Sequence, residues 1–222
     1  MNFTLERVTD PDIEAVSLAE MKLHLRCYES TTEDDMITAL ITAAREWVED
    51  YTGRALIDQT WRLTIGARLN GLVGGDAVGG YTPGVVGTRE WPHWIRSGEI
   101  LLRKSPVLSL TSFKSVDAAG VETDIDTDYY ELREIDSKWP RIAPLNGATW
   151  PANSDLRIVF RAGFADRDSS PQETAAAVPE RYKQAMKLWT EANYGRDEKL
   201  MPLLLDTAER LIRSERSEMN FA

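Results

Sequence analysis

Three patterns in this chain have the residue types and spacing of a chemical site. Asp124-x-Asp126-x-Asp128 has the opening of a calcium loop, in which alternate carboxylates turn towards one ion. Such a loop needs glycine at its sixth position and glutamate at its twelfth, and these are Tyr129 and Ile135. A solvated hairpin edge accounts for the triplet better. Gly75-x-x-x-x-Gly80-Tyr81-Thr82 has the outline of a phosphate-binding loop, but Tyr81 replaces the lysine and no helix-forming sequence follows. It reads as flexible loop. His24 and His93 have no Cys or His partner at metal-ligand spacing, and no G-x-S-x-G nucleophile motif is present. Acidic pairs are abundant, and nothing promotes one of them to general acid and base. The expectation is a protein without cofactor or metal and without enzymatic activity. The rival from another class is a carboxylate- or metal-dependent enzyme resting on Asp124, Asp126 and Asp128.

The bulk properties narrow the field further. With 222 residues the chain has room for one large domain or two small ones, and 42% apolar residues provide a core. A net charge of −10 argues against tight wrapping of nucleic acid, which needs Lys and Arg in excess. An acidic surface does let a polyanion slide past. Cys27 is the single cysteine, so no internal disulfide forms and a reducing compartment is expected. The start, MNFTLERVTDPDIEAVS, lacks the basic and apolar regions of a signal peptide, and no apolar run approaches a bilayer span. A soluble intracellular product without membrane contact is expected.

The strongest element signal runs from Thr31 to Leu56. Thr31 or Thr32 can cap a helix whose first turn holds Glu33, Asp34 and Asp35, where carboxylates offset the unpaired N–H groups. Ile37, Leu40, Ile41, Ala44, Trp47, Val48 and Tyr51 follow at helical spacing, and Gly53 stops the run. Upstream, Ser17-x-x-Glu20 is a capping box for a short helix through Leu18, Met21, Leu23 and Leu25. The pair resembles a DNA-reading helix-turn-helix in outline only. Its second helix carries Glu33, Asp34, Asp35, Glu46, Glu49 and Asp50 with Arg45 as the sole base, and a major groove would repel it.

The middle of the chain changes period. Trp61, Leu63 and Ile65 alternate with polar residues over Gln59–Ile65, which predicts a strand. Residues 70–98 are glycine-rich and aperiodic, a long protruding loop that carries Trp91 and Trp94 as candidate protein contacts. Strands are predicted over 99–103, 107–116, 121–125, 129–133 and 156–162, with Asp117-Ala118-Ala119-Gly120 as a turn. Together they predict a small antiparallel sheet.

Helix returns after Val178-Pro179, with Tyr182, Ala185, Met186, Trp189 and Asn193 on one face and Gly195 at the end. A last helix from about Pro202 presents Leu204, Ala208, Leu211 and Ile212. The fold class expected is α+β: a helical bundle from 17–56 and 178–213, an inserted antiparallel β region over 57–165, and the glycine loop. Residues 206–222, with Arg210, Arg213, Arg216, Met219 and Phe221, suit docking to a partner groove.

Three blocks of sequence carry a resemblance. They are SLAEMKLHLR followed by Ala43-Ala44-Arg45-Glu46-Trp47-Val48-Glu49-Asp50-Tyr51-Thr52-Gly53-Arg54-Ala55-Leu56; Ser105-Pro106-Val107 with Asp128-Tyr129-Tyr130; and Gly163-Phe164 leading to Val178-Pro179, Lys183-Gln184-Ala185 and Tyr194-Gly195-Arg196. In this order they resemble the head–tail connector (adaptor) proteins of long-tailed bacteriophages and gene transfer agents. The resemblance implies a single connector domain over residues 1–222 and a structural virion protein, assembled in the host cytoplasm and placed at the capsid–tail junction. It implies a homo-oligomeric, typically dodecameric, ring beneath the portal protein, with a stopper or tail-side protein on its other face. Genome DNA would pass through the channel without sequence-specific binding. Portal contacts would fall on Leu211, Ile212, Arg213, Arg216, Met219 and Phe221, and tail-side contacts on Trp91 and Trp94. A stopper or tail-terminator ring is the alternative within the virion.

Overall fold

The structure, a computed structural model, describes residues 3–27, 31–66, 98–151, 154–165, 175–195 and 198–216. The glycine loop, except its last residue Gly98, lies outside them. The chain parts into two compact units: Met1–Thr9 with Thr60–Arg161, and Asp10–Gln59 with Ala162–Ala222. Helices and antiparallel strand pairs are both present, the α+β class expected from sequence.

The first unit holds the strands β1 (Phe3–Thr9), β2 (Gln59–Ile65), β3 (Ile100–Leu101), β4 (Val107–Val116), β5 (Glu122–Asp124), β6 (Tyr130–Arg133), β7 (Arg141–Pro144) and β8 (Asp155–Ala162). Instead of the one small sheet expected, they form two: five strands in the order β1-β2-β8-β4-β5, and three in the order β3-β7-β6. β2 and β8 alternate buried and half-buried along their lengths, as period-2 strands with one face on a core must. The N-terminal segment, read only as extended from sequence, pairs antiparallel with β2, Leu5 opposite Leu63. β7 was not expected, because Pro140 and Pro144 bracket so short a run. Between β4 and β5, the Asp117 carboxylate accepts from the N–H groups of Ala119 and Val121 at 2.8 and 2.9 Å, and Gly120 takes a φ of 83°. Phe113 packs edge-on to Tyr130 and against Trp150, whose indole N–H donates to the Gly98 carbonyl at 2.6 Å.

The second unit is built on α1 (Leu18–Leu25), α2 (Asp34–Thr52), α3 (Glu180–Gly195) and α4 (Met201–Ile212). The Ser17–Glu20 capping box forms with both of its bonds. The Thr31 or Thr32 cap does not: α2 starts from Glu33 without a side-chain cap bond, its first turn supported by Asp34 and Asp35. Gly53 closes α2 with a left-handed φ of 72°. Met21, Ile37, Ile41, Ala44, Val48, Tyr182, Ala185, Met186, Ala208 and Ile212 meet in one apolar core, with Trp47 stacked on Trp189 at its margin. Gly163 touches the backbone of Ile57 and Asp58 so closely that a Cβ would lie 2.5–2.6 Å from it. Only glycine fits there.

Candidate assembly surface

The aspartates of the triplet lie at a short turn and at a sheet edge. The Asp126 carboxylate caps the short 3-10 turn Thr127–Tyr129 by accepting from the Asp128 N–H at 3.0 Å. Asp124 lies at the edge strand β5, 3.9 Å from the Lys114 ammonium. Among the described residues no group of three or more His, Cys, Asp or Glu side chains could hold a metal. His24 meets Glu191 at 3.0 Å, joining α1 to α3. Beside it, the Tyr194 hydroxyl donates to Glu33 at 2.6 Å, and this bond holds the hydroxyl pKa up to about 12.

Arg45 and Glu49 require a correction. The sequence places them on the outer, acidic side of the second helix, but both are buried. They sit at i+8 and i+12 from Ile37, within the stripe that contains Ile41, Ala44 and Val48. Arg45 donates to Glu14 at 2.9 Å and to Glu49 at 3.0 Å. The other oxygen of Glu49 accepts from the Leu56 N–H at 2.8 Å and from Gln59 at 2.6 Å. Burial alone would lower the Arg45 pKa; Glu49 and Glu14 outweigh it and raise the value. A buried charge is tolerated only when paired and hydrogen-bonded in this way. The network ties the end of α2 to the residues that follow it, Leu56 and Gln59.

The cations of the β unit are engaged as well. Arg62 meets Glu6 at 2.9 Å, Lys114 meets Glu122 at 3.0 Å, and Arg157 also meets Glu122. In the smaller sheet Glu99 accepts from Arg133 at 3.2 Å and from Arg141 at 3.1 Å. Lys114 is raised and Glu122 lowered by their mutual hydrogen bond, so both stay charged near neutrality. Such a surface balances charge in place.

Large apolar side chains are exposed in both units: Val8, Val121 and Tyr129 in the strand-bearing one, and Leu23, Met36, Leu200, Leu203 and Leu211 in the helical one. Of the six docking residues expected at the C-terminus, Leu211, Arg213 and Arg216 are exposed. Ile212 is not: it is 0% exposed within the helical core, as its spacing of four from Ala208 requires. Met219 and Phe221 lie outside the described residues, as do Trp91 and Trp94. Arg216 places its guanidinium 5.4 Å from the Tyr51 ring, and Glu215 bridges Arg54 at 3.2 Å and Arg181 at 2.6 Å. The segment after α4 is therefore anchored as far as Arg216. Leu23, read from sequence among the apolar residues of the first helix, is exposed; Leu203 and Met36, also exposed, are not singled out by the sequence reading, although the run of six apolar residues Leu200–Leu205 is a signal for Leu203. No helix among the described residues is long and apolar enough to cross a membrane.

Known proteins supply the context. Residues 15–78 match the family of phage gp6-like head-tail connector proteins. The fold is similar to a chain in the neck of an empty gene transfer agent particle computed with C6 symmetry, with a TM-score of 0.69 and 24% identity over 96% of this chain and 95% of that one. A chain in the neck of a native particle computed with C12 symmetry has a TM-score of 0.62 and 25% identity over the same shares. Curated proteins give no match. The resemblance to head–tail connectors is thus met twice, by the family match across the first two helices and β2 and by the fold of gene transfer agent neck chains over nearly the whole length.

Proposed function

We propose that this chain is a structural virion protein of the neck, at the capsid–tail junction, whose work is assembly and not catalysis. In finer detail it is an adaptor that forms a ring below the portal, extends the DNA channel and joins capsid to tail. The observation that carries this reading is the shared fold with neck chains along 96% of the sequence. The charge pattern supports it: an acidic chain whose sheet cations already sit beside carboxylates gives a polyanion little to hold. The portal side is formed by Arg213, Arg216 and the residues after them, including Met219 and Phe221, with Leu211 at the root. Ile212 is omitted because its side chain belongs to the core. Trp91 and Trp94 remain the tail-side candidates. Particles produced without this chain test the reading by electron microscopy: DNA-filled heads separate from tails are expected, and normally tailed particles would overturn it.

A further inference from the structure

The main chain leaves the helical unit at a defined point, beside an aromatic strip of the same unit. Glu215, in the short turn Arg213–Glu215 after α4, bridges Arg54 at 3.2 Å and Arg181 at 2.6 Å and also accepts from the Tyr182 hydroxyl. Three donors on one carboxylate fix that point. Arg216 then sets its guanidinium 5.4 Å from the Tyr51 ring. Tyr51 opens a series of rings: its centroid lies 5.8 Å from that of Trp47, which lies 6.3 Å from that of Trp189. All three side chains are half-buried at the margin of the core, so each ring keeps part of its surface uncovered among the described residues.

Ser217-Glu218-Met219-Asn220-Phe221-Ala222 follows in the sequence. Met219 and Phe221 stand two apart, and an extended chain presents both on one side while Glu218 and Asn220 face the other. From Arg216 to Phe221 such a chain reaches roughly 17 Å, more than the two steps of 5.8 and 6.3 Å along the strip. A thioether suits a ring edge, and a phenyl ring suits another ring tilted or offset against it. A second copy or a partner must bring such groups from dilute solution. A segment tethered at Tyr51 meets the strip at an effective concentration in the roughly millimolar range.

We propose that residues 217–222 fold back over the Tyr51–Trp47–Trp189 strip of their own chain, with Met219 on Trp47 and Phe221 on Trp189. Glu218 and Asn220 stay in water. Ordering a free segment offsets most of what two partly covered side chains gain. The contact is therefore weak: it opens on heating well below the folding midpoint, and it yields to a partner that binds the same two side chains. Its use as a cover for portal-side residues rests on the neck reading above; the contact itself does not.

The test uses the full chain with Phe221 replaced by the photoreactive p-benzoylphenylalanine, irradiated at about 1 μM, far below that effective concentration. Product of monomer mass, crosslinked at Trp47, Tyr51 or Trp189, is expected. Adding Met219→Ser should lower its yield at least about threefold, with the helical circular dichroism signal as the check on folding. Product of dimer mass, crosslinks only on other surfaces, no product, or a yield that Met219→Ser leaves unchanged overturns the fold-back. Copies in the necks of purified particles are counted separately. Chains carrying both Met219→Ser and Phe221→Ser, present there at the wild-type number, overturn the portal assignment of these residues and leave the fold-back standing.

Discussion

At the scale of single residues, Arg45 marks the difference between charge on display and charge in use. Its guanidinium spans Glu14, 31 residues earlier, and Glu49, one helical turn later, and none of the three can lose its partner without leaving a charge stranded. Arg45→Met is expected to cost about 3–5 kcal/mol of stability, read as a fall in the denaturation midpoint of the helical unit. A loss under about 1 kcal/mol would mean that the network is dispensable. Tyr182 gives a second handle. Burial pushes its hydroxyl from the usual 10.0 up to about 12. A group raised on folding contributes its full share below its unfolded pKa, and that share is lost as pH rises through the folded value. This group should thus lower stability by about 2 kcal/mol between pH 10 and 12, and Tyr182→Phe should remove that share of the slope in unfolding titrations. Equal slopes in the two proteins would contradict the assignment. Ser17 and Gly53 were legible in the sequence because caps are local: a hydroxyl three residues from a glutamate, or a glycine where φ must be positive, needs no distant partner. Arg45 was not, since Glu14 is invisible to any local window.

At the scale of elements, the same division explains what could be read. The long helix, its acidic start and the alternating strands β2 and β8 follow from periodicity alone. The split into two sheets does not, because strand partners are set by packing that no single segment encodes, and β7 is too short and proline-bounded to announce itself. The C-terminus shows the most consequential case. Its leucines and arginines suit a docking arm, but Ala208 and Ile212 are core, and Glu215 clasps Arg54 and Arg181. Removal of residues 217–222 should leave the helical signal and thermal midpoint intact and weaken portal binding. Removal of 206–222 should instead lower the midpoint steeply, since burying an isoleucine side chain alone is worth about 2–3 kcal/mol. If the longer deletion folds normally, α4 is not part of the core.

At the scale of the whole molecule, the motifs singled out in the sequence take structural places. The aspartate triplet turns a corner, the buried acids hold a helix end, and the sheet cations sit beside carboxylates. Large apolar side chains stay exposed in both units, among them Val8, Val121 and Tyr129 beside the strands and Leu23, Met36, Leu203 and Leu211 on the helices. A ring that carries DNA needs little more than this: stable units, faces that repeat by rotation, and a lumen that does not grip. Cryo-electron microscopy of tailed particles containing this chain is the most direct test. The account predicts a closed ring of this fold between portal and tail. Density that places the chain elsewhere in the particle, or finds no copy in the neck, would contradict it.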